Sequence, residues 1–211
     1  MTRILLGSLF IFLTRRLTKR GLSMNKAYKV EPIRKAKDIN TIKKLLASNP
    51  RNYALFVVGI NTSLRGSDLL ALKVGDVRNV KTLQDFEIRE KKTRKRRRLT
   101  LNRAAVEAIK QLLASRPEVT DDDFLFVGRS GKPLTRDYLR KMIKQWCAAI
   151  RLPGNYGSHS LRKTWGYHQR VRFGAGLPEL TEAFNHSNQS ITLRYLCIQP
   201  DEVKSLYANE I

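Results

Sequence analysis

The stretch GSHSLRKTWGYHQR, Gly157 to Arg170, sets a histidine, His159, three residues before an arginine, Arg162. Lys163 and His168 add further basic groups. A helix is predicted from Ser160 to Phe173, and helix positions three apart are neighbours, so His159 and Arg162 would share a face. That face would hold a proton-transfer group beside a planar guanidinium fork. Trp165, like Trp146 before it, reads as a core anchor of its helix. His168 reads as a packing or solvated residue outside any site.

Working outward from that helix, the same periodicity recurs along the chain. Ile39, Ile42, Leu45 and Leu46 stand at helical spacing between Ala36 and Ser48. The break SNPRN precedes a second apolar helix, Tyr53 to Ile60. In NTSLRGSDLLALKVGDV, Ser67 or Asp68 is placed to cap a short helix carrying Leu69, Leu70 and Leu72. DFEIRE alternates, KKTRK turns and RRRLTLN returns, which predicts an antiparallel hairpin. Helices follow at Arg103–Leu113, Thr135–Ile150, Pro178–Phe184 and Ile191–Leu196, with a small strand or turn at Asp121–Phe126. The fold class is therefore mostly α with one small antiparallel β-sheet, without internal repeats.

Composition bounds the partners. The 211 residues carry 41 Lys+Arg against 18 Asp+Glu, a formal charge of +23. Such an excess implies a polyanionic partner, and nucleic acid is the first expectation. A hydrophobic content of 42% fits a globular domain and argues against disorder. Cys147 and Cys197 form neither a metal pattern nor a disulfide framework, and three histidines without a Cys or carboxylate cluster imply no metal site. No cofactor is implied. At the N-terminus, Ile4 to Leu13 is an apolar run too short to span a bilayer, followed by more basic residues. Residues 1–23 are read as a non-native or disordered extension, with translation starting at Met24 and 24–211 forming a single domain. A membrane-surface anchor is the competing reading of that extension.

The basic residues are of two kinds. Between Arg89 and Arg98 every residue is Lys or Arg except Glu90 and Thr93. Like charges so dense on a hairpin repel one another unless phosphates lie between them, which marks Lys91, Arg94, Lys95, Arg96 and Arg97 as DNA-binding candidates, with Lys163 beyond them. A solvated, charge-protected edge strand is the bland alternative. Arg65 differs. It lies in a turn between apolar helices, so its charge must be paired, with Asp68 or Asp76 as partners, or must face a cleft.

The order of these pieces resembles the tyrosine recombinase (phage integrase) family. SLRGSDLLALKVGDV matches the family's arginine box through Arg65, and the hairpin EKKTRKRRRLTL matches its lysine through Lys92, with Lys91 and Lys95 as alternatives. His159 and Arg162 match the H-x-x-R box. His186 and Tyr195, nine residues apart with Thr192 between, match the final box, and Tyr207 has the wrong spacing from His186 to be the nucleophile. The likeness runs from about Ala36 to the C-terminus. Ser63 and Asn185 stand where the family usually has glycine. The separate helical DNA-clamping domain that many members carry is not expected here, so the chain is read as resembling the short fimbrial-switch members or a truncated remnant.

What the resemblance implies is a metal-free phosphoryl transfer. Arg65 and Arg162 would clamp the non-bridging oxygens of a DNA phosphate. Tyr195 would attack and hold the 3′-phosphate as a phosphotyrosyl link. Lys92 would protonate the leaving 5′-oxygen, His159 would assist proton transfer, and His186 would hydrogen-bond the phosphate. Neither ATP nor Mg²⁺ is implied. Partners would be duplex DNA, further copies of the chain as a dimer or tetramer, with Asp201 to Ile211 docking on a neighbour, and accessory DNA-bending proteins. The expected setting is the cytoplasm, at the nucleoid, in a bacterium, phage or plasmid. Two other readings stay open: a catalytically silent DNA-binding regulator of the same fold, and a type IB topoisomerase-like enzyme.

Overall fold

A computed structural model describes residues 30–196, 204 and 207–210, apart from the side chain of Arg194. In chain order the elements are α1 (Ala36–Leu46), α2 (Pro50–Asn61), α3 (Gly66–Leu69), α4 (Val74–Val77), β1 (Asp85–Arg89) and β2 (Arg96–Thr100), then α5 (Arg103–Ala114), α6 (Arg136–Ala149), α7 (Ser158–Phe173), α8 (Leu177–Ala183) and α9 (Gln189–Leu196). The expectations for residues 1–23 and for Cys197 lie outside the described residues, as does most of Asp201 to Ile211. Among the described residues no helix is long and apolar enough to cross a membrane.

The chain is organised around α2. Asn49 caps it by accepting from the Asn52 amide, and Pro50 starts it where no amide donor is needed. Ala54 to Gly59 are all buried, so this helix has no solvated face along those turns and serves as the central rod. Its neighbours are α5 and α7. Gly59 permits the second contact: a Cβ there would lie 2.5 Å from Leu161 Cδ1 on α7. Trp146 of α6 meets Phe56 edge-on at 6.0 Å, the anchoring expected of it.

Helix α7 begins two residues earlier than its pattern predicts. Ser160 turns its hydroxyl back to accept from the Gly157 amide at 3.0 Å, which closes the first turn. The helix stops at Gly174, whose φ of 69° suits glycine. Leu180, Phe184 and Leu196 form a second, smaller apolar cluster with Trp165 and Tyr195. That cluster fastens α8 and α9 onto α7.

Two local expectations are corrected. Neither Ser67 nor Asp68 caps α3; the helix starts at Gly66 with Arg65 as its N-cap residue, and Asp68 falls inside the first turn. Asp76 does not pair with Arg65. It accepts from the Lys73 amide at 2.8 Å at the start of α4. Of the strand or turn expected at Asp121–Phe126 the chain forms the turn, with one isolated bridge from Phe124 to Lys73.

The hairpin is antiparallel, with Ile88 opposite Arg97 and Phe86 opposite Leu99. Side chains alternate across it. Ile88, Arg97 and Leu99 turn inward, while Glu87, Arg89, Arg96 and Arg98 turn outward. The outward charges are partly matched within the sheet, since Arg96 lies 3.7 Å from Glu87 and Arg98 3.8 Å from Asp85.

Candidate active site

Six segments converge on a cleft of about 1280 Å³. The start of α3 contributes Arg65, and the hairpin turn contributes Lys91, Lys92 and Lys95. The first turns of α6 add Arg136 and Arg140, and α7 adds His159. His186 enters from the loop after α8, and Tyr195 from α9. Cations line the cleft from both the hairpin turn and α6, which suits a phosphate-bearing strand. Residues more than a hundred positions apart in sequence are brought together here. Tyr207 lies outside this lining, 86% exposed.

Tyr195 and His159 are already in contact, with the phenolic oxygen 2.7 Å from His159 Nδ1. Burial raises the Tyr195 pKa, and the charges of Arg162 and Arg65 act against that rise. His159 moves the other way. Desolvation, then Arg162, Lys163, Arg136 and Arg65, lowers its pKa. At neutral pH the pair is therefore a protonated phenol beside a neutral imidazole, so the hydroxyl donates and Nδ1 accepts.

Arg162 departs from the shared-face expectation. It is 1% exposed and does not line the cleft. Positions three apart on a helix diverge by about 60°, enough for His159 to reach the cleft while Arg162 turns inward. Its guanidinium donates to the Ser63 carbonyl, to the Phe184 carbonyl at 2.6 Å, and to His186 Nε2 at 3.2 Å. The Phe184 ring lies 4.8 Å from it and the Tyr195 ring 5.5 Å. Desolvation first, then Arg97, brings its pKa down to about 9. Because a guanidinium only donates, His186 Nε2 must accept. The proton of His186 then sits on Nδ1, which donates to Thr192 Oγ1 at 2.9 Å. Desolvation and Arg162 hold the His186 pKa down to about 4.

Two of the expected DNA-binding residues are placed elsewhere. Arg97 follows the strand alternation inward, where it bonds Glu90 at 3.1 Å and also reaches Ser63 and Ala183. Lys163 is 5% exposed, with its ammonium 5.5 Å from the centre of the Tyr195 ring. Neither can lie flat on a duplex. Lys91, Arg94, Lys95 and Arg96 are exposed, and of these Lys91 and Lys95 line the cleft.

Three residues escaped the sequence reading. Arg136 and Arg140 add to the cationic lining of the cleft. Glu90 is buried and forms an ion pair with Arg65 at 2.6 Å. Asp68, expected as a partner of Arg65, is also buried; it lies 3.9 Å from Arg65 and accepts from the Lys91 amide at 3.0 Å. A signal for Glu90 was available: it is the one acidic residue in the basic run, and it shares strand parity with Ile88. His168, set aside from the site, meets the Ile33 carbonyl at 3.0 Å. No group of three or more metal-ligating side chains occurs among the described residues.

Comparison with known proteins follows the same lines. The model of the phage integrase family matches residues 34–202. The integrase/recombinase YoeC of Bacillus subtilis is 37% identical over 183 residues, covering 84% of this chain and 95% of that protein. The tyrosine recombinase XerC of Neisseria meningitidis is 28% identical over 158 residues, 74% of this chain and 50% of XerC. The crystal structure of the XerH site-specific recombinase bound to palindromic difH substrate, a post-cleavage complex, superposes with a TM-score of 0.69. It is 23% identical, over 82% of this chain and 49% of that one, and so shows the fold. The chain thus spans nearly all of YoeC and about half of the two Xer proteins. On the family match and the identity to YoeC, this chain belongs to the phage integrase family.

Proposed function

We propose that the protein is a site-specific DNA recombinase that breaks and rejoins duplex DNA through a 3′-phosphotyrosyl intermediate. The observation that carries the reading is the convergence of Arg65, Lys92, His159 and Tyr195 on one cationic cleft, with Tyr195 already hydrogen-bonded to His159. A DNA phosphate entering between the hairpin and α6 meets Arg65, which binds a non-bridging oxygen and neutralises charge as the phosphorane forms. The Tyr195 oxygen attacks phosphorus while its proton passes to His159 Nδ1. The bond from phosphorus to the 5′-oxygen breaks, and Lys92 supplies the proton that leaves with that oxygen. Attack by a 5′-hydroxyl of a second duplex reverses these steps and regenerates the phenol. Two protomers on each of two sites are required for exchange, so self-association on DNA is part of the proposal.

Arg162 takes a different part from the clamp first expected. Its charge lies 5.5 Å from the centre of the Tyr195 ring and favours the developing phenolate, while its burial keeps it out of the cleft lining. That placement is also what favours a second reading, a DNA-binding regulator that never cuts.

A covalent-trapping experiment separates the two. Protein and its Tyr195→Phe variant are mixed in EDTA with supercoiled plasmid carrying the DNA that flanks the gene, and the reaction is stopped with SDS. A protein–DNA adduct in wild type, absent from the variant, is the expected result. Duplex binding without an adduct in either sample points to the regulator.

A further inference from the structure

Glu90 is the point where the site's separate segments meet. Its side chain is fully buried, and both oxygens are doubly engaged. Oε1 forms an ion pair with Arg65 at 2.6 Å and accepts from Arg97 at 3.1 Å. Oε2 accepts from the Thr93 hydroxyl at 2.8 Å and the Asn185 amide at 3.1 Å. Both oxygens thus have two polar partners, and the charge is met by two guanidinium groups. Desolvation would raise the Glu90 pKa, but the Thr93, Arg65 and Asn185 contacts outweigh it and hold the value at about 2. The group is a carboxylate at any pH at which the protein works.

The four donors come from different parts of the chain. Arg65 begins α3, Thr93 follows Lys92 in the hairpin turn, Arg97 lies on β2, and Asn185 precedes His186. Asn185 has a φ of 50°, the left-handed backbone that asparagine tolerates, and its amide is spent on Glu90. Ser63 enters the same network from the other side. Its hydroxyl bonds the Ala183 carbonyl at 2.6 Å and also meets Arg97. The two positions where this chain carries Ser63 and Asn185, in place of the glycines of the resemblance, therefore sit at opposite ends of one buried network.

We propose that Glu90 is a positioning residue, whose carboxylate holds the Arg65 guanidinium, the Lys92-bearing turn and the Asn185–His186 loop in a single arrangement, with Asn185 and Ser63 completing it. Its consequence for rate rests on the recombinase reading above. Glu90 does not touch the phosphate; it fixes the groups that do.

The test uses the full chain and three variants: Glu90→Gln, Asn185→Gly and the two combined. Nitrogen-15 spectra of the arginine side chains report how tightly each guanidinium is held, and the Arg65 signals are assigned with Arg65→Lys. Separate Nη signals for Arg65 in wild type should merge in Glu90→Gln. In that variant adduct formation at saturating DNA should fall by roughly 10- to 100-fold, the scale of an ångström-sized misplacement, with duplex affinity unchanged. Asn185→Gly should lose less, and the double variant no more than Glu90→Gln by itself, since both act through one hub. Unchanged Arg65 signals, or an unchanged rate in Glu90→Gln, would overturn the proposal. Should Glu90→Gln fail to fold, Thr93→Val and Asn185→Gly each remove one neutral donor and carry the same two readouts. If wild type forms no adduct, the recombinase reading fails, while the Arg65 signals still decide whether Glu90 holds that guanidinium.

Discussion

At the scale of single residues, protonation in the cleft is arranged before any DNA arrives. Three cations crowd His186, and its imidazole is desolvated, so it is neutral in the folded protein down to about pH 4. An unfolded histidine takes up its proton near pH 6.5. Between those values the unfolded chain binds more protons than the folded one, so stability rises with pH through the window. The benefit of a neutral His186 is complete above about pH 6.5 and is lost progressively as pH falls toward 4. Thermal melting should therefore show a midpoint that drops between pH 6.5 and 4. His186→Asn should flatten part of that drop; an identical pH slope in the variant would show that His186 does not titrate as described. The Tyr195–His159 pair depends on pH in the same sense for chemistry. Cleavage needs His159 unprotonated to accept the phenolic proton, and its lowered pKa keeps it so at neutral pH. His159→Ala should slow adduct formation by about 10²- to 10⁴-fold, the usual weight of a general base, with duplex affinity kept. Single-turnover trapping at saturating DNA reads that change.

Elements decide which of several like residues does which task. On β2, Arg96, Arg97 and Arg98 are chemically equal, yet the pleat turns Arg97 inward and its neighbours outward. Arg97→Ala would leave the buried Glu90 with half its cationic partners, and removing one member of a buried pair costs about 3–5 kcal/mol. Arg96→Ala and Arg98→Ala should each stay within about 0.5 kcal/mol of wild type, as exposed substitutions do. Urea denaturation distinguishes the two classes, and equal losses at all three positions would contradict the register. Helix α7 shows a second such constraint. Gly166 faces the Phe184 ring so closely that a Cβ there would lie 2.4 Å from the Phe184 Cζ. Gly166→Ala should therefore destabilise by about 1–3 kcal/mol through overpacking, although alanine is the better helix former. Phe184 also stacks on His186, with ring centres 5.0 Å apart, so the same variant should disturb the cleft.

At the scale of the whole molecule the relevant quantity is charge over distance. The formal charge of +23 is spread along the chain, but folding gathers the cleft-facing part onto two walls, the hairpin turn and the first turns of α6. Each phosphate neutralised releases counterions and contributes about 0.9 to the slope of log affinity against log salt. Arg136→Ala with Arg140→Ala should lower that slope by about two and weaken binding to all sequences alike. Adduct formation at saturating DNA should persist, because the phenolic proton still has His159 within hydrogen-bond reach. A slope unchanged by the double substitution would remove α6 from the DNA surface.

How much of this was legible in the chain follows from the range of the forces involved. Helix and strand periodicity are local, so the positions of α1, α2, α5, α6, α7 and the hairpin could be read from apolar spacing, and the ordered boxes around Arg65, Lys92, His159, Arg162, His186 and Tyr195 pointed to a family. Strand parity would have turned Arg97 inward as well, since Arg97, Leu99 and Leu101 alternate, but its place in a run of like charges masked the pattern. The sequence by itself determined the element types, the basic character and the chemistry-bearing residue types, because these depend on neighbours a few positions away. Only the tertiary structure decided that Arg162 lies beneath Tyr195 rather than in the cleft, that α6 supplies part of the cationic lining, and that Glu90 joins segments 95 positions apart. Those outcomes depend on which desolvated charge finds a partner across the fold, and no local pattern encodes that choice.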